Sequence, residues 1–363
     1  MPKVSIVLPT YNGEKYIRES IDSVMNQTFT DWELIIVNDC SSDGTVEIIN
    51  EYVKMDKRIR TINNVINQKL PRSLNIGFRE AKGEYLTWTS DDNKYLPQAI
   101  EEMVHFLDEN KNEVMVCAKM DYINENGEYE ITMPPYSNES MFYNDCVGAC
   151  FLYRNIVLKE IGEYNPDYFL VEDYEYWLRI LFKYKNIGFI DKVLYIYRKQ
   201  SKSLTATRQE GIAYNNTRMR LQYIKEIFEG LCEREDLLSR MYFEMQKCSL
   251  LTQEVDDMFK QKINLLNMIK TGMAKGKVIV YGAGKMGKKY LDENKGDVLW
   301  FADRDKAKVH TSIEGVSVLS LEEMVEKRNK IQCEIVVAAG GEKIIDFLKE
   351  LQKIGIEACY AYY

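Results

Sequence analysis

Residues 4–45 read VSIVLPTYNGEKYIRESIDSVMNQTFTDWELIIVNDCSSDGT, and the order of elements in this stretch decides the fold. The run KVSIVL (3–8) is rich in β-branched residues and stops at Pro9 and Asn12-Gly13, so it reads as a buried strand leaving through a turn. Tyr16, Ile17, Ile21 and Val24 then recur at helical intervals and share one apolar face. A second strand, WELIIVND (32–39), runs into the turn-rich CSSDG, and helical spacing resumes from Thr45 to Val53. Alternating strands and helices, with the strands apolar almost throughout, predict a parallel sheet covered by helices on both faces. Ligands of such sheets bind where strands end at their carboxyl side.

Working outward, residues 71–81 read as a helix and EYLTWT (84–89) as a strand that ends in Ser90-Asp91-Asp92-Asn93. A helix from Pro97 to Leu107 and a strand VMVCAKM (114–120) follow, then a loop or hairpin region, ENGEYEITMPPYSN. Residues 147–161 carry a short strand and helix, and Val171 to Tyr184 form an amphipathic helix with Asp173 in its first turn. A strand near 187–197 closes a first domain, residues 1–205. Between 206 and 272 there is no proline, and Ile224/Ile227/Phe228/Leu231 and Leu238/Met241/Tyr242/Met245 fall on helical faces, which predicts a helical connector. Its Met and Tyr stripe reads as packing surface rather than a cofactor box. Residues 273–363 return to strands, with KVIVYGAGKMG, DVLWFAD and EIVVAAGG.

The 363 residues allow two or three folding units. At 45% hydrophobic and 29% charged, the composition excludes a disordered or membrane-spanning chain. A net charge of -8 argues against a nucleic-acid partner, and an anionic ligand would need a local positive site or a metal ion. The eight cysteines contain no C-x-x-C and read as reduced thiols, while only two histidines make His-based zinc sites and Ser-His-Asp triads improbable. With no signal peptide and no apolar stretch near ~20 residues, the expected location is the cytoplasm.

Acids placed after strands are the main chemical feature. Asp39 follows LIIV, and Asp91-Asp92 follow YLTW, so a shared parallel sheet would bring three carboxylates to one rim. Hard oxygen ligands of this kind suit Mg²⁺ or Mn²⁺, which could bridge to a diphosphate. The competing reading of Ser-Asp-Asp-Asn is a solvated turn with a helix cap.

The stretch 4–45 resembles the opening of glycosyltransferase family 2, the inverting nucleotide-sugar transferases of GT-A fold. Four further segments match that family in order: 70–97, 148–168, VEDYEYWLRI (171–180) and YRKQSKSLT (197–205). They are especially similar to bacterial spore-coat and capsule-type transferases. The resemblance implies an α/β GT-A domain over 1–205, followed by the connector and a small Rossmann-like domain. It implies that Pro9, Thr10 and Tyr11 border the nucleotide base and that Asp39 accepts a ring N–H, favouring uracil or thymine. Asp91 would contact ribose or diphosphate, Asp92 would hold the divalent cation, Mn²⁺ or Mg²⁺, and Asp173 would be the general base. Read on position alone, Asp173 is an ordinary acid near a helix start. Arg72 is a further phosphate candidate, although a surface arginine is the plainer reading. Two departures stand out. Gln200 occupies the place of a family histidine that can join the metal or diphosphate site, and glutamine replaces imidazole poorly as a metal ligand; either the cation relies on Asp92, phosphate and water, or Arg198 and Lys199 supply some of the positive charge. Thr89-Ser90-Asp91 replaces the Asp-x-Asp of many relatives.

Gly282, Gly284 and Gly287 follow a strand and open a helix as G-x-G-x-x-G, with Asp303 ending the next strand 21 residues after Gly282. This makes a second nucleotide site a candidate, NAD or another nucleotide, against a docking or oligomerisation domain that keeps its glycines for packing. The resemblance to family 2 implies transfer from a nucleotide sugar, a UDP-sugar first, to a carbohydrate or lipid-linked saccharide in cell-surface polysaccharide assembly. A lipid-linked acceptor would bring the enzyme to the inner face of the membrane. The alternatives are an NAD-linked sugar oxidoreductase acting through residues 273–363 and a non-catalytic nucleotide-sugar scaffold.

Overall fold

Strand β1 (Val4–Thr10) is buried at every position and sits inside a nine-stranded sheet that organises residues 1–227. Its residues divide by alternation: Val4, Ile6 and Leu8 pack on one face with helices α1 (Ile17–Met25), α2 (Thr45–Met55) and part of α4 (Ala99–Glu109), while Val7 faces the other. Strand β2 (Trp32–Asn38) does the same, with Leu34 and Ile36 on the first face and Ile35 and Val37 on the second. A sheet buried on both sides needs strands apolar throughout, and these two are.

The other strands are β3 (Ile59–Asn63), β4 (Tyr85–Trp88), β5 (Lys94–Tyr95), β6 (Met115–Ile123), β7 (Tyr129–Thr132), β8 (Phe151–Arg154) and β9 (Gly188–Arg198). The order is β3-β2-β1-β4-β8-β6-β9-β5, with β7 paired to β6 as a hairpin. Strands β3, β2, β1 and β4 are mutually parallel, so their carboxyl ends share one rim. The expectation of a parallel sheet holds only for this half. From β8 onward the sheet is mixed: β8 runs antiparallel to β4 and β6, and β5 antiparallel to β9. Helices α3 (Leu70–Arg79), α4 (Ala99–Glu109), α5 (Asn138–Met141), α6 (Asn155–Ile161) and α7 (Glu172–Tyr184) complete the layers. Helix α7 buries Tyr174, Tyr176, Trp177, Ile180 and Leu181 against the second face, beside Leu74 and Phe78 of α3.

This computed structural model describes residues 1–363, apart from the side chain of Glu342. It divides into two compact units, 1–227 and 228–363. The segment 206–272 is helical, as its periodicity predicts, but it is shared out between them. Helices α8 (Leu204–Thr207) and α9 (Gln209–Gln222) belong to the first unit, where Met219 joins the core of α7. Helix α10 (Ile224–Gly230) spans the division, and α11 (Glu235–Lys247) and α12 (Gln253–Lys262) belong to the second.

In the second unit β10 (Val278–Tyr281), β11 (Val298–Ala302), β12 (Ser312–Ile313), β13 (Val316–Leu319), β14 (Glu334–Ala338) and β15 (Tyr360–Tyr362) form a separate sheet, ordered β12-β13-β11-β10-β14-β15. All its pairings are parallel except β12 with β13. Helices α13 (Lys285–Glu293), α14 (Leu321–Ile331) and α15 (Gly341–Lys353) connect its strands. No helix among the described residues is long and apolar enough to cross a membrane.

Candidate active site

The rim formed by β1, β2 and β4 gathers the sequence-predicted acids. Thr10 pairs with Asn38 at the ends of β1 and β2, the Asp39 N–H donates to the Thr10 carbonyl at 2.8 Å, and the Thr89 N–H donates to the Val7 carbonyl at 3.0 Å. Asp39 is only 4% exposed. Its Oδ1 accepts from the Gln68 N–H at 2.7 Å and Asn64 Nδ2 at 2.8 Å, and its Oδ2 from the Lys69 N–H at 2.9 Å. The carboxylate thus holds the loop that leads into α3. A carboxylate has about four lone-pair sites, so Asp39 retains roughly one for a ligand.

Asp91 lies against the turn after β1. Thr10 Oγ1 donates to its Oδ2 at 2.5 Å, and a Cβ added at Gly13 would come within 2.3 Å of the same oxygen. Glycine is required there because the carboxylate occupies the side-chain space. Desolvation, then the charge of Asp92, pushes the Asp91 carboxyl up to about 7. Asp92 is raised too, by desolvation, against an opposing hydrogen bond from Gln200 Nε2 to its Oδ2 at 2.5 Å. Neither acid is in an ion pair among the described residues. Two half-buried neighbouring carboxyls with raised affinity for protons are a site that a cation would relieve. Among the described residues no three His, Cys, Asp or Glu side chains converge, so a cation here would rely on few protein ligands.

Asp173 begins α7, and the Tyr174 N–H donates to its Oδ1 at 2.8 Å. The helix is fixed by ring packing, including Tyr164 stacked on Tyr176 at 4.2 Å and Phe151 against Trp177 at 4.5 Å. Desolvation raises the Asp173 carboxyl. Glu172, 4% exposed, is pushed up to about 8 by desolvation and then by the Asp173 charge. Asp145 keeps surface open to solvent, yet its carboxyl is raised by the same two causes, and its Oδ1 accepts from the N–H groups of Val147 and Gly148. The Tyr197 phenol is raised by desolvation first, then by Asp92, and more weakly by Asp173 and Asp145.

Other expected residues fall differently. Arg198 is 5% exposed and committed: its Nη2 donates to Glu19 at 2.9 Å, its Nε to the Asp92 carbonyl at 3.4 Å, and it lies over the Tyr16 ring at 4.4 Å. It supports the Asp92 turn from behind. Arg72 is exposed and lines a cavity of about 620 Å³ with Asn75, Arg79, Glu163, Glu175 and Arg179, on the flank of α3 and α7, and none of the rim acids lines it. Pro9 is buried in β1, and Tyr11 is 53% exposed at the rim. Sequence reasoning passed over Gly13, Glu19, Asp145, Glu172 and Tyr197. The dipeptide Asn12-Gly13 was a turn signal, and Glu172 stood beside the chosen acid. Nothing local marks Glu19 or Asp145.

The glycine fingerprint of the second unit has its expected shape. Gly282 has φ +115°, and a Cβ there would meet the Ala338 carbonyl oxygen at 2.4 Å. A Cβ at Gly287 would meet the Gly282 carbonyl oxygen at 2.1 Å, while one at Gly284 would meet open space. Asp303, however, is turned into the loop. Its Oδ2 accepts from the Ala283 N–H at 2.8 Å and Lys308 Nζ at 3.3 Å, and its Oδ1 from the Asp305 N–H at 2.9 Å. The carboxylate closes the turn through these three hydrogen bonds.

Residues 5–162 match the model of a family described as Glycosyl transferase family 2. Over 206 residues the chain is 31% identical to an uncharacterised glycosyltransferase of Methanocaldococcus jannaschii, covering 54% of this chain and 71% of that protein. The chain belongs to glycosyltransferase family 2, and it is an enzyme acting on nucleotide sugars. Two solved structures share its fold. S. aureus TarS 1–349, in complex with UDP-GlcNAc, superposes with a TM-score of 0.54 at 20% identity, over 73% of this chain and 81% of that one. The mannosyltransferase PcManGT from Pyrobaculum calidifontis, in complex with GDP-Man and Mn²⁺, gives 0.52 at 14% identity, over 73% and 80%. The first unit is thus a GT-A type domain, accompanied by a second α/β sheet.

Proposed function

We propose that this enzyme transfers a sugar from a UDP-sugar to a hydroxyl of a carbohydrate or lipid-linked saccharide, with inversion at the anomeric carbon. The reading rests on one observation: Asp39, Asp91 and Asp92 follow β2 and β4, parallel neighbours of β1, and Thr10 at the end of β1 donates to Asp91. Pro9, Thr10 and Tyr11 border the base, and the remaining lone pair of Asp39 accepts its ring N–H. One acceptor position matches uracil or thymine better than guanine, which presents two adjacent donors. Asp91, tied to Thr10, contacts ribose or diphosphate. Asp92 holds Mn²⁺ or Mg²⁺. When bound, that cation neutralises charge on the departing diphosphate.

The acceptor hydroxyl attacks the anomeric carbon. A new C–O bond forms as the bond from that carbon to the diphosphate oxygen breaks, the hydroxyl proton passes to a carboxylate oxygen of Asp173, and the nucleoside diphosphate leaves. A single displacement of this kind inverts configuration. Burial makes Asp173 a stronger base than an exposed aspartate. Desolvation and the Asp173 charge raise the Glu172 carboxyl, which disfavours a second full negative charge beside Asp173. The segments similar to spore-coat and capsule-type transferases support a cell-surface polysaccharide or glycoconjugate as the product. For the second unit, the closed Asp303 loop supports a docking or oligomerisation role.

A panel of UDP-, GDP- and dTDP-sugars, each with Mn²⁺, Mg²⁺ or a chelator, scored for nucleoside diphosphate release, tests this reading. Release from a UDP-sugar that needs the cation and is lost in Asp92→Ala is the expected result. Chelator-resistant turnover, or full activity in that variant, overturns the assignment.

A further inference from the structure

Two turns leave the rim side by side, residues 11–15 after β1 and residues 40–44 after β2. No residue in either stretch is buried, so core packing does not hold them. Each also passes through left-handed backbone, at Asn12 (φ +56°) and at Cys40 (φ +66°), a conformation that a free chain seldom keeps. What fastens them is a reciprocal set of four hydrogen bonds. The Asn12 N–H donates to Ser41 Oγ at 3.0 Å, and the Ser42 N–H donates back to Asn12 Oδ1 at 2.8 Å. The Glu14 N–H donates to Asp43 Oδ2 at 3.2 Å, and the Gly44 N–H donates back to Glu14 Oε2 at 3.0 Å. A Cβ at Gly44 would come within 2.8 Å of Glu14 Oε1, so the missing side chain makes room for this second pair. On its other side the first turn meets Asp91, through Gly13 and the Thr10 hydroxyl. It is thus held between the Asp91 carboxylate and the loop that follows Asp39.

We infer that Asn12 and Glu14 are positioning residues of the nucleotide site, which set donor affinity by holding the turn that carries Tyr11. The inference rests on the donor reading proposed above, in which Tyr11 borders the base. Tyr11 is 53% exposed, so its place depends on the turn and not on burial of its own ring. Without the clamp the turn samples other conformations in the free enzyme, and nucleotide binding must order it again, at a cost to affinity. Once nucleotide is bound, the turn is ordered with or without the clamp, and the bond-making step is unchanged. The effect therefore falls on donor KM and leaves kcat at saturating donor nearly untouched. Both side chains act as acceptors of a backbone N–H, so an acceptor oxygen is what each position requires, with or without a charge.

UDP binding to the full chain, followed by calorimetry, tests this together with amide hydrogen exchange over residues 40–45. Asn12→Gly keeps the left-handed backbone accessible and removes only the acceptor, and Glu14→Ala removes the other. Each should weaken UDP about fivefold, and the two together about twentyfold, with faster exchange over 40–45. Asn12→Asp and Glu14→Gln keep an acceptor oxygen and should stay within about twofold of wild type. For a UDP-sugar that the enzyme turns over, the donor KM should rise by the same factors while kcat stays within about twofold. Wild-type UDP affinity in the double variant overturns the inference. So does a fall in kcat and melting temperature with donor KM unchanged, which would make the clamp a support of the fold alone. Tyr11→Ala and Asp39→Asn separate this from failure of the donor reading, with circular dichroism establishing that each variant is folded. If both bind UDP as wild type does, the donor site lies elsewhere and the inference falls with it; if they lose UDP and the clamp variants do not, the inference alone falls.

Discussion

Both units place an aspartate just past a parallel strand, and the two end in opposite electrostatic states. After β11, Asp303 is met by Lys308 and by two backbone N–H groups, so its charge is spent on closing a loop. After β4, Asp91 and Asp92 stand side by side, each with one side-chain donor, and burial with mutual repulsion pushes Asp91 up to about 7. A compensated carboxylate stabilises the fold. An uncompensated pair costs stability and persists where a ligand supplies the missing charge. Both loops carry the sequence marks of a nucleotide site, and they differ in how their acids are compensated.

The largest effect belongs to Asp173→Asn. Removing the proposed proton acceptor should lower kcat by about 10³-fold, within the range of general-base contributions. Because burial raises this carboxyl, the amide should cost no stability at pH 8, and the melting temperature should equal or exceed that of wild type. Nucleoside diphosphate release and a thermal melt on the same preparation check both halves. Undiminished turnover would move the base elsewhere, and Asp145, whose carboxyl responds to Asp173, is the next acid to replace.

A matched pair of substitutions sharpens the contrast at smaller magnitude. Gly13→Ala pushes a methyl to within 2.3 Å of Asp91 Oδ2 and 2.6 Å of Thr10 Oγ1. Relieving that overlap costs about 1–3 kcal/mol and displaces Asp91, so the donor KM should rise about tenfold or more. Asp303→Ala leaves the Ala283 and Asp305 N–H groups without their acceptor, at about 1–3 kcal/mol of stability, while turnover stays within about twofold of wild type. Steady-state kinetics with denaturant melts would reverse the distinction if Asp303→Ala impaired turnover and Gly13→Ala did not.

The sequence showed the rim and hid what supports it. Strands β1, β2 and β4 are apolar runs ending in acids, and the parallel rule alone carries Asp39, Asp91 and Asp92 to one edge. The direction of β8 was not legible, because a four-residue run such as Phe151–Arg154 is equally apolar whichever way it runs. The pairing of Arg198 with Glu19 joins positions far apart in the chain, which spacing does not carry. The glycine fingerprint was read correctly as strand, turn and helix. The use made of Asp303 depends on where Lys308 and the backbone at 283 and 305 point, and spacing does not carry that.

The smallest effect is a pH dependence, and its sign follows from the direction of the shifts. Asp91 at about 7 and Glu172 at about 8 lie above the ordinary carboxylate range, and Asp92 and Asp173 are raised as well. A carboxyl raised in the folded state lends stability at pH values below its unfolded pKa and loses it as pH rises through the folded value. The ligand-free chain should therefore melt progressively lower from about pH 5 to pH 8, by a few degrees. Self-repulsion in a chain of net charge -8 adds a slope of the same sign, so wild type alone is not decisive. Asp91→Asn removes one of the raised groups and should flatten the curve, and UDP with a divalent cation should flatten it by compensating Asp92. Asp303→Asn should lower the whole curve, since the Ala283 and Asp305 N–H groups and Lys308 lose a charged acceptor. Differential scanning calorimetry at half-unit pH steps resolves the three curves, and a slope unchanged in Asp91→Asn would mean that the rim carries no uncompensated charge.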